Sequence, residues 1–70
     1  DLIKPFIDEC CIIGEGKTAS VTDLHNKYIT WAGYNISRKE FGARMEFAGY
    51  KKEKKETAWK WIDIGILDLF

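Results

Sequence analysis

The sequence predicts an α+β fold of three helices and a small antiparallel sheet that closes in a β-hairpin, and three observations carry that prediction. Residues 36–50, ISRKEFGARMEFAGY, read as a short helix with a defined start, a defined stop and two unlike faces. A second amphipathic segment ends only a few residues before it, the spacing that joins two helices at a steep angle. After Tyr50 the apolar period changes to two, as a pair of strands requires.

The first element follows from Leu2, Ile3, Phe6, Ile7 and Cys10, spaced i, i+1, i+4, i+5 and i+8 along an amphipathic helix that tolerates Pro5 in its first turn. Cys10 is expected as a small core residue, with Cys11 and Ile12 finishing the helix. A nucleophilic or metal role would need His or further Cys at ligand spacing, and His25 is the single histidine, so no metal site is expected. A disulfide between neighbouring cysteines closes a strained ring, and two free thiols point to a reducing, cytoplasmic setting.

Residues 14–18, GEGKT, copy the end of a phosphate-binding loop without completing it. The earlier glycine of that loop is replaced by Cys11, and a helix rather than a strand comes before it. We expect a Gly-rich turn and no nucleotide cofactor. Residues 18–21 are β-prone and short, an expected edge strand.

Thr22 is expected to cap the second helix, with Asp23 in the first turn where the helix dipole favours an anion. Leu24, Tyr28 and Trp31 then give the i, i+4, i+7 core stripe, Gly33 ends the helix, and His25 sits at the boundary of the stripe. In the third helix, Ser37 and Glu40 form a capping box, and Phe41, Met45 and Ala48 make the apolar stripe. Lys39, Gly42, Ala43 and Glu46 fall on the opposite side, and Gly49 ends the helix. Phe6, Leu24, Tyr28, Trp31, Phe41 and Met45 are expected to meet in one core.

From Tyr50 onward, two strands are expected around a charged turn at residues 54–57. The period leaves open whether Trp59 or Trp61 faces inward. Helix, short strand, helix, helix, strand, basic turn, strand is the order of a winged helix-turn-helix, in which the third helix enters the major groove and the hairpin wing reaches an adjacent groove or the backbone.

Seventy residues are one domain's length, near the lower limit for a core without metal or disulfide, and 46% apolar residues including ten aromatics suffice to pack one. The chain opens at Asp1 and its one methionine is Met45, so we expect a piece of a longer protein. No apolar run approaches the roughly 20 residues that span a bilayer, and no membrane partner is expected. The net charge of zero conceals an asymmetry. Residues 37–60 hold eight basic residues against four acids, a net of +4, and the rest of the chain carries −4. Such a gathering of cations is the footprint of a surface that meets phosphates, although lysines on a hairpin also serve simply to keep an edge soluble.

Several stretches together resemble a known family. Cys10 with GEG at 14–16, the helix TDLHNKYITW, the run SRKEFGARMEFAGYKK and the closing aromatic strand with Gly65 and Ile66 are similar to the C-terminal winged-helix domain of phage, plasmid and mobile-element primase-helicases. The larger part of those proteins is a superfamily 3 helicase related to the poxvirus replicative NTPase. The resemblance covers nearly the whole chain, and its most specific frame is Ser37, Phe41, Met45, Gly49 and Tyr50 followed by lysines. It implies a domain without catalysis of its own that holds duplex or origin DNA beside the parent ATPase portion.

The residues expected to face DNA are Arg38, Lys39, Arg44, Lys51, Lys52, Lys54, Lys55 and Lys60. Arg38 and Lys39 lie in the first turn of the third helix, Arg44 lies near the edge of its core stripe, and the lysines lie on the hairpin. Gly42 and Ala43 permit close approach but read little beyond a thymine methyl, so modest sequence specificity is expected. Phe47 stands where the family pattern leads to a charged residue, and on a solvent-side position it is expected to contact a partner or the rest of the parent protein. The competing reading is therefore a protein-docking winged helix that positions the helicase against an initiator or a neighbouring subunit. An enzyme in its own right would need a convergent catalytic set, which the sequence lacks.

Overall fold

The computed structural model describes residues 2–67. The elements are α1 (Ile3–Cys10), β1 (Cys11–Ser20), α2 (Val21–Ala32), α3 (Arg38–Phe47), β2 (Lys51–Lys55) and β3 (Ala58–Ile66). Three helices and one antiparallel sheet of order β1-β3-β2 give the α+β architecture of a winged helix, with β3 as the central strand.

The first helix ends at Cys10, two residues earlier than the end at Ile12 that the sequence suggests. Cys11 is already extended, at φ −130° and ψ 160°, and opens a ten-residue strand in place of the short edge strand expected at 18–21. Non-local pairing decides this: Cys11, Ile12 and Ile13 lie opposite Ile66, Gly65 and Ile64, and the Leu67 N–H donates to the Cys10 carbonyl at 2.8 Å. Cys11 rather than Cys10 is the buried thiol, and Leu2 stays 40% exposed at the helix start. Burial, with a smaller contribution from Cys10, pushes the Cys11 thiol up to about 12, away from any nucleophilic role.

The glycine-rich stretch sits inside β1. Between the pairs Ile13–Ile64 and Thr18–Ile62, β1 has four residues where β3 has only Asp63, so the strand bulges outward. Gly16 at φ +85° turns the bulge, and Asp63 at φ +63° absorbs the mismatch on the other strand. Trp61 and Ile64, three positions apart, consequently both face the core.

Ser20, not Thr22, caps α2, its hydroxyl accepting from the Asp23 N–H at 3.4 Å. Both hydroxyls flank Val21, and the end of the β1–β3 ladder at Ser20–Lys60 selects the earlier one. The turn to α3 is pinned from within: His25 Nε2–H donates to the Ile36 carbonyl at 2.6 Å, and Ile36 is buried. α3 ends as expected, with Gly49 at φ +103°. Its N–H meets the Glu46 carbonyl at 3.0 Å while the Tyr50 N–H meets the Met45 carbonyl at 3.1 Å, closing the helix in a Schellman motif.

The core joins all the layers. Phe6, Tyr28 and Phe41 meet with ring centroids 5.0 to 6.2 Å apart, beside Leu24 and Met45. Trp31, expected among them, is half-buried at the margin, 5.6 Å from Phe6. The sheet supplies the side that sequence periodicity did not assign, with Trp61 and Ile64 both fully buried. Burial of such side chains, about 1.5–3 kcal/mol each, is the main force holding a chain this short.

Candidate nucleic-acid interface

The candidate interface is built where the start of α3 meets the wing. Ser37 Oγ accepts from the Glu40 N–H at 3.0 Å, which sets Arg38 and Lys39 in the first turn, both exposed. The Glu40 carboxylate, expected to reach back to the Ser37 N–H, instead lies 3.7 Å from Arg44 Nη2.

The wing turns in two residues, Glu56 and Thr57, and its register follows: Lys55 opposite Ala58, Lys54 opposite Trp59, Lys52 opposite Trp61. Residues directly opposite share a face and successive residues alternate. Lys52, Lys54, Trp59 and Trp61 thus share the face turned toward the helices, while Lys51, Glu53, Lys55 and Lys60 occupy the outer face. The Lys52 ammonium lies 5.5 Å from the Trp61 ring and 5.9 Å from the Trp59 ring, within cation–π range of both. It also covers Gly42, where a β-carbon would stand 3.6 Å from Nζ. Gly42 is therefore buried beneath the wing and is not part of a free helix face as its position on the helical wheel suggests.

These elements enclose a cleft of about 610 Å³, lined by Ser20, Val21 and Thr22 at the start of α2, Arg38 and Lys39 of α3, and Lys52, Thr57, Ala58 and Trp59 of the wing. Among the described residues, every charged side chain that lines it is a cation. Its own lining thus contributes only positive charge, and the hydroxyls of Ser20, Thr22 and Thr57 add neutral hydrogen-bonding groups. Trp61 Nε1 is buried with no partner among the described residues, so the ring that carries Lys52 is held by packing alone.

Of the expected DNA-facing residues, Arg38, Lys39 and Lys52 come together in this cleft, and Lys54 lies on the same sheet face toward the wing tip. Lys51, Lys55 and Lys60 point to the other side of the sheet, where Lys51 borders a separate depression with Ile13, Tyr50 and Glu53. Arg44 sits apart on α3, its Nη1 donating to the Tyr34 hydroxyl at 3.2 Å. The buried Tyr28 hydroxyl is 2.7 Å from the same oxygen. Burial, then the bond to Tyr34, raises the Tyr28 hydroxyl, whereas Tyr34, bonded to Tyr28 and accepting from Arg44, is lowered. Phe47 is 90% exposed in the last turn of α3, away from the cleft.

Trp59 and the start of α2 are the contributors that the sequence reading did not assign to the site. The signal for Trp59 was present in the wing, since a two-residue turn at Glu56 and Thr57 places it opposite a lysine; the contribution of Ser20 and Thr22 depends on tertiary packing. Comparison with family models, with curated proteins and with solved structures finds no match.

Proposed function

We propose that this winged helix binds duplex DNA by its phosphate backbone, through the cleft between the first turn of α3 and the wing. The observation that carries this reading is the convergence of Arg38, Lys39 and Lys52, from two elements separate in sequence, on one cleft without an acid among its described lining. A wing folded over Gly42 leaves the middle of α3 little freedom to read base edges, in keeping with affinity that depends on phosphates rather than on sequence. The resemblance in sequence supplies the setting: a cytoplasmic replicative helicase or primase-helicase of a mobile element, whose ATPase portion would unwind the DNA this domain holds. The domain itself would perform no catalysis and need no cofactor.

The test is a salt series of duplex binding by fluorescence anisotropy, comparing the parent with R38E/K39E. The log–log salt slope falls by about 0.9 for every phosphate that is no longer neutralised, so the double variant should bind with a slope lower by roughly 2. Unchanged affinity at low salt would overturn the reading. Protein docking would then take its place, favoured by the 90% exposed Phe47, which lies outside the cleft.

A further inference from the structure

The cleft holds one feature that phosphate binding does not use. Trp59 is 50% exposed on its wall, whereas Trp61, two residues along the same strand face, fills the core completely. A large aromatic ring left half in water adds little to packing, and the hairpin does not need it for register, which its two-residue turn already sets.

The surroundings of the ring are those of a stacking platform. Lys52 lies 5.9 Å from its centroid, and Arg38 and Lys39 line the same cleft from α3. Aromatic stacking combined with cations that follow the backbone is how proteins hold single strands without sequence preference. The volume of about 610 Å³ falls in the range that admits a nucleotide-sized group. A base inside a duplex has both faces covered by its neighbours. Only an unpaired or terminal base can offer a face to Trp59.

From this we infer that the cleft receives an unpaired base on Trp59, with its flanking phosphates on Arg38, Lys39 and Lys52, so that the domain prefers a junction of duplex and single strand to uninterrupted duplex. The inference rests on the nucleic-acid reading above and deepens it: the wing marks where paired DNA becomes unpaired. The hydroxyls of Ser20, Thr22 and Thr57 are compatible with any base, so the preference is for structure and not for sequence.

The test uses the seventy-residue chain with three probes: a blunt duplex, the same duplex with a short single-stranded tail, and the tailed duplex carrying 2-aminopurine at the first unpaired position. The parent should bind the tailed duplex roughly tenfold more tightly than the blunt one, the lower part of the range for one stacked base, and should quench the 2-aminopurine. Trp59→Ala should abolish both the preference and the quenching, so that the tailed and blunt duplexes are bound alike because the tailed one loses more, and Trp59→Phe should restore part of each. Because the ring is half exposed, the alanine variant is expected to keep the parent's circular dichroism spectrum, which is recorded alongside. Equal parental affinity for blunt and tailed duplexes, or an equal loss for both on Trp59→Ala, would overturn the inference with DNA binding intact. Binding to neither probe would overturn the DNA reading itself.

Discussion

The two faces of the wing have similar lysine content and opposite surroundings. On the face toward the helices, Lys52 and Lys54 stand opposite Trp61 and Trp59, and Lys52 lines a cleft whose described charges are all positive. On the outer face, Lys60 stands directly opposite Glu53, with Lys51 and Lys55 two positions to either side of that glutamate. Cations beside an opposite charge in open water are largely neutralised and screened, whereas cations gathered in a cleft with low-dielectric walls reinforce one another. A run such as KKEKK is therefore two surfaces. Alternation along the strand, and not the count of lysines, decides which of them can hold an anion.

The largest effect expected from this division is on stability. Trp59 and Trp61 share a face, yet only Trp61 is enclosed, between Ala19 on β1 and Lys52 on β2. Trp61→Ala should lose about 3–5 kcal/mol, most of what so small a domain has to spare, while Trp59→Ala should lose about 1 kcal/mol or less. Urea denaturation of the two variants measures the difference. Comparable losses would mean that the wing carries two core tryptophans and offers no stacking platform.

Next in size is the effect on binding. Replacing Lys52 and Lys54 together by glutamine should lower the salt slope of duplex binding by roughly 2, at about 0.9 for each phosphate neutralised, whereas the same change at Lys51 and Lys55 should leave it nearly unaltered. Thermal melting of both pairs keeps folding defects apart from weaker phosphate binding. If the outer pair proves as damaging as the inner one, DNA wraps the wing tip and the two faces act as one.

The helices were legible in the sequence because their signals are local. Ser37 and Gly49 bracket α3 through bonds that reach only a few residues, and the Phe41–Met45 stripe needs no distant partner to be read. β1 was not legible, since its first half is extended only because it pairs with Ile64, Gly65 and Ile66 near the other end of the chain. The cap of α2 moved from Thr22 to Ser20 for the same reason. The tryptophan facing inward was undecidable while the turn was read as the four residues 54–57, and Asp63 at φ +63° then broke the alternation that a regular strand would have kept. Of the site, the cations were visible as a composition, but their division into a cleft and an outer face needed the register.

The smallest effect is expected at Arg44, which the charge pattern groups with the residues proposed to face DNA and the fold sets apart. Its guanidinium is engaged by the Tyr34 hydroxyl at 3.2 Å and by Glu40 at 3.7 Å, and neither partner lines the cleft. Exposed pairs of this kind are screened by water and contribute little, so Arg44→Ala should leave stability nearly unchanged and change duplex affinity by less than about twofold. A second readout separates loss of the network from no effect at all. Tyr34 is lowered first by the bond from Tyr28 and further by Arg44, so without the arginine its hydroxyl should ionise at higher pH, visible as an upward shift in the alkaline tyrosinate absorbance. A tenfold loss of affinity with that titration unchanged would mean that Arg44 leaves Tyr34 to meet DNA, and the interface would extend along α3 beyond the cleft.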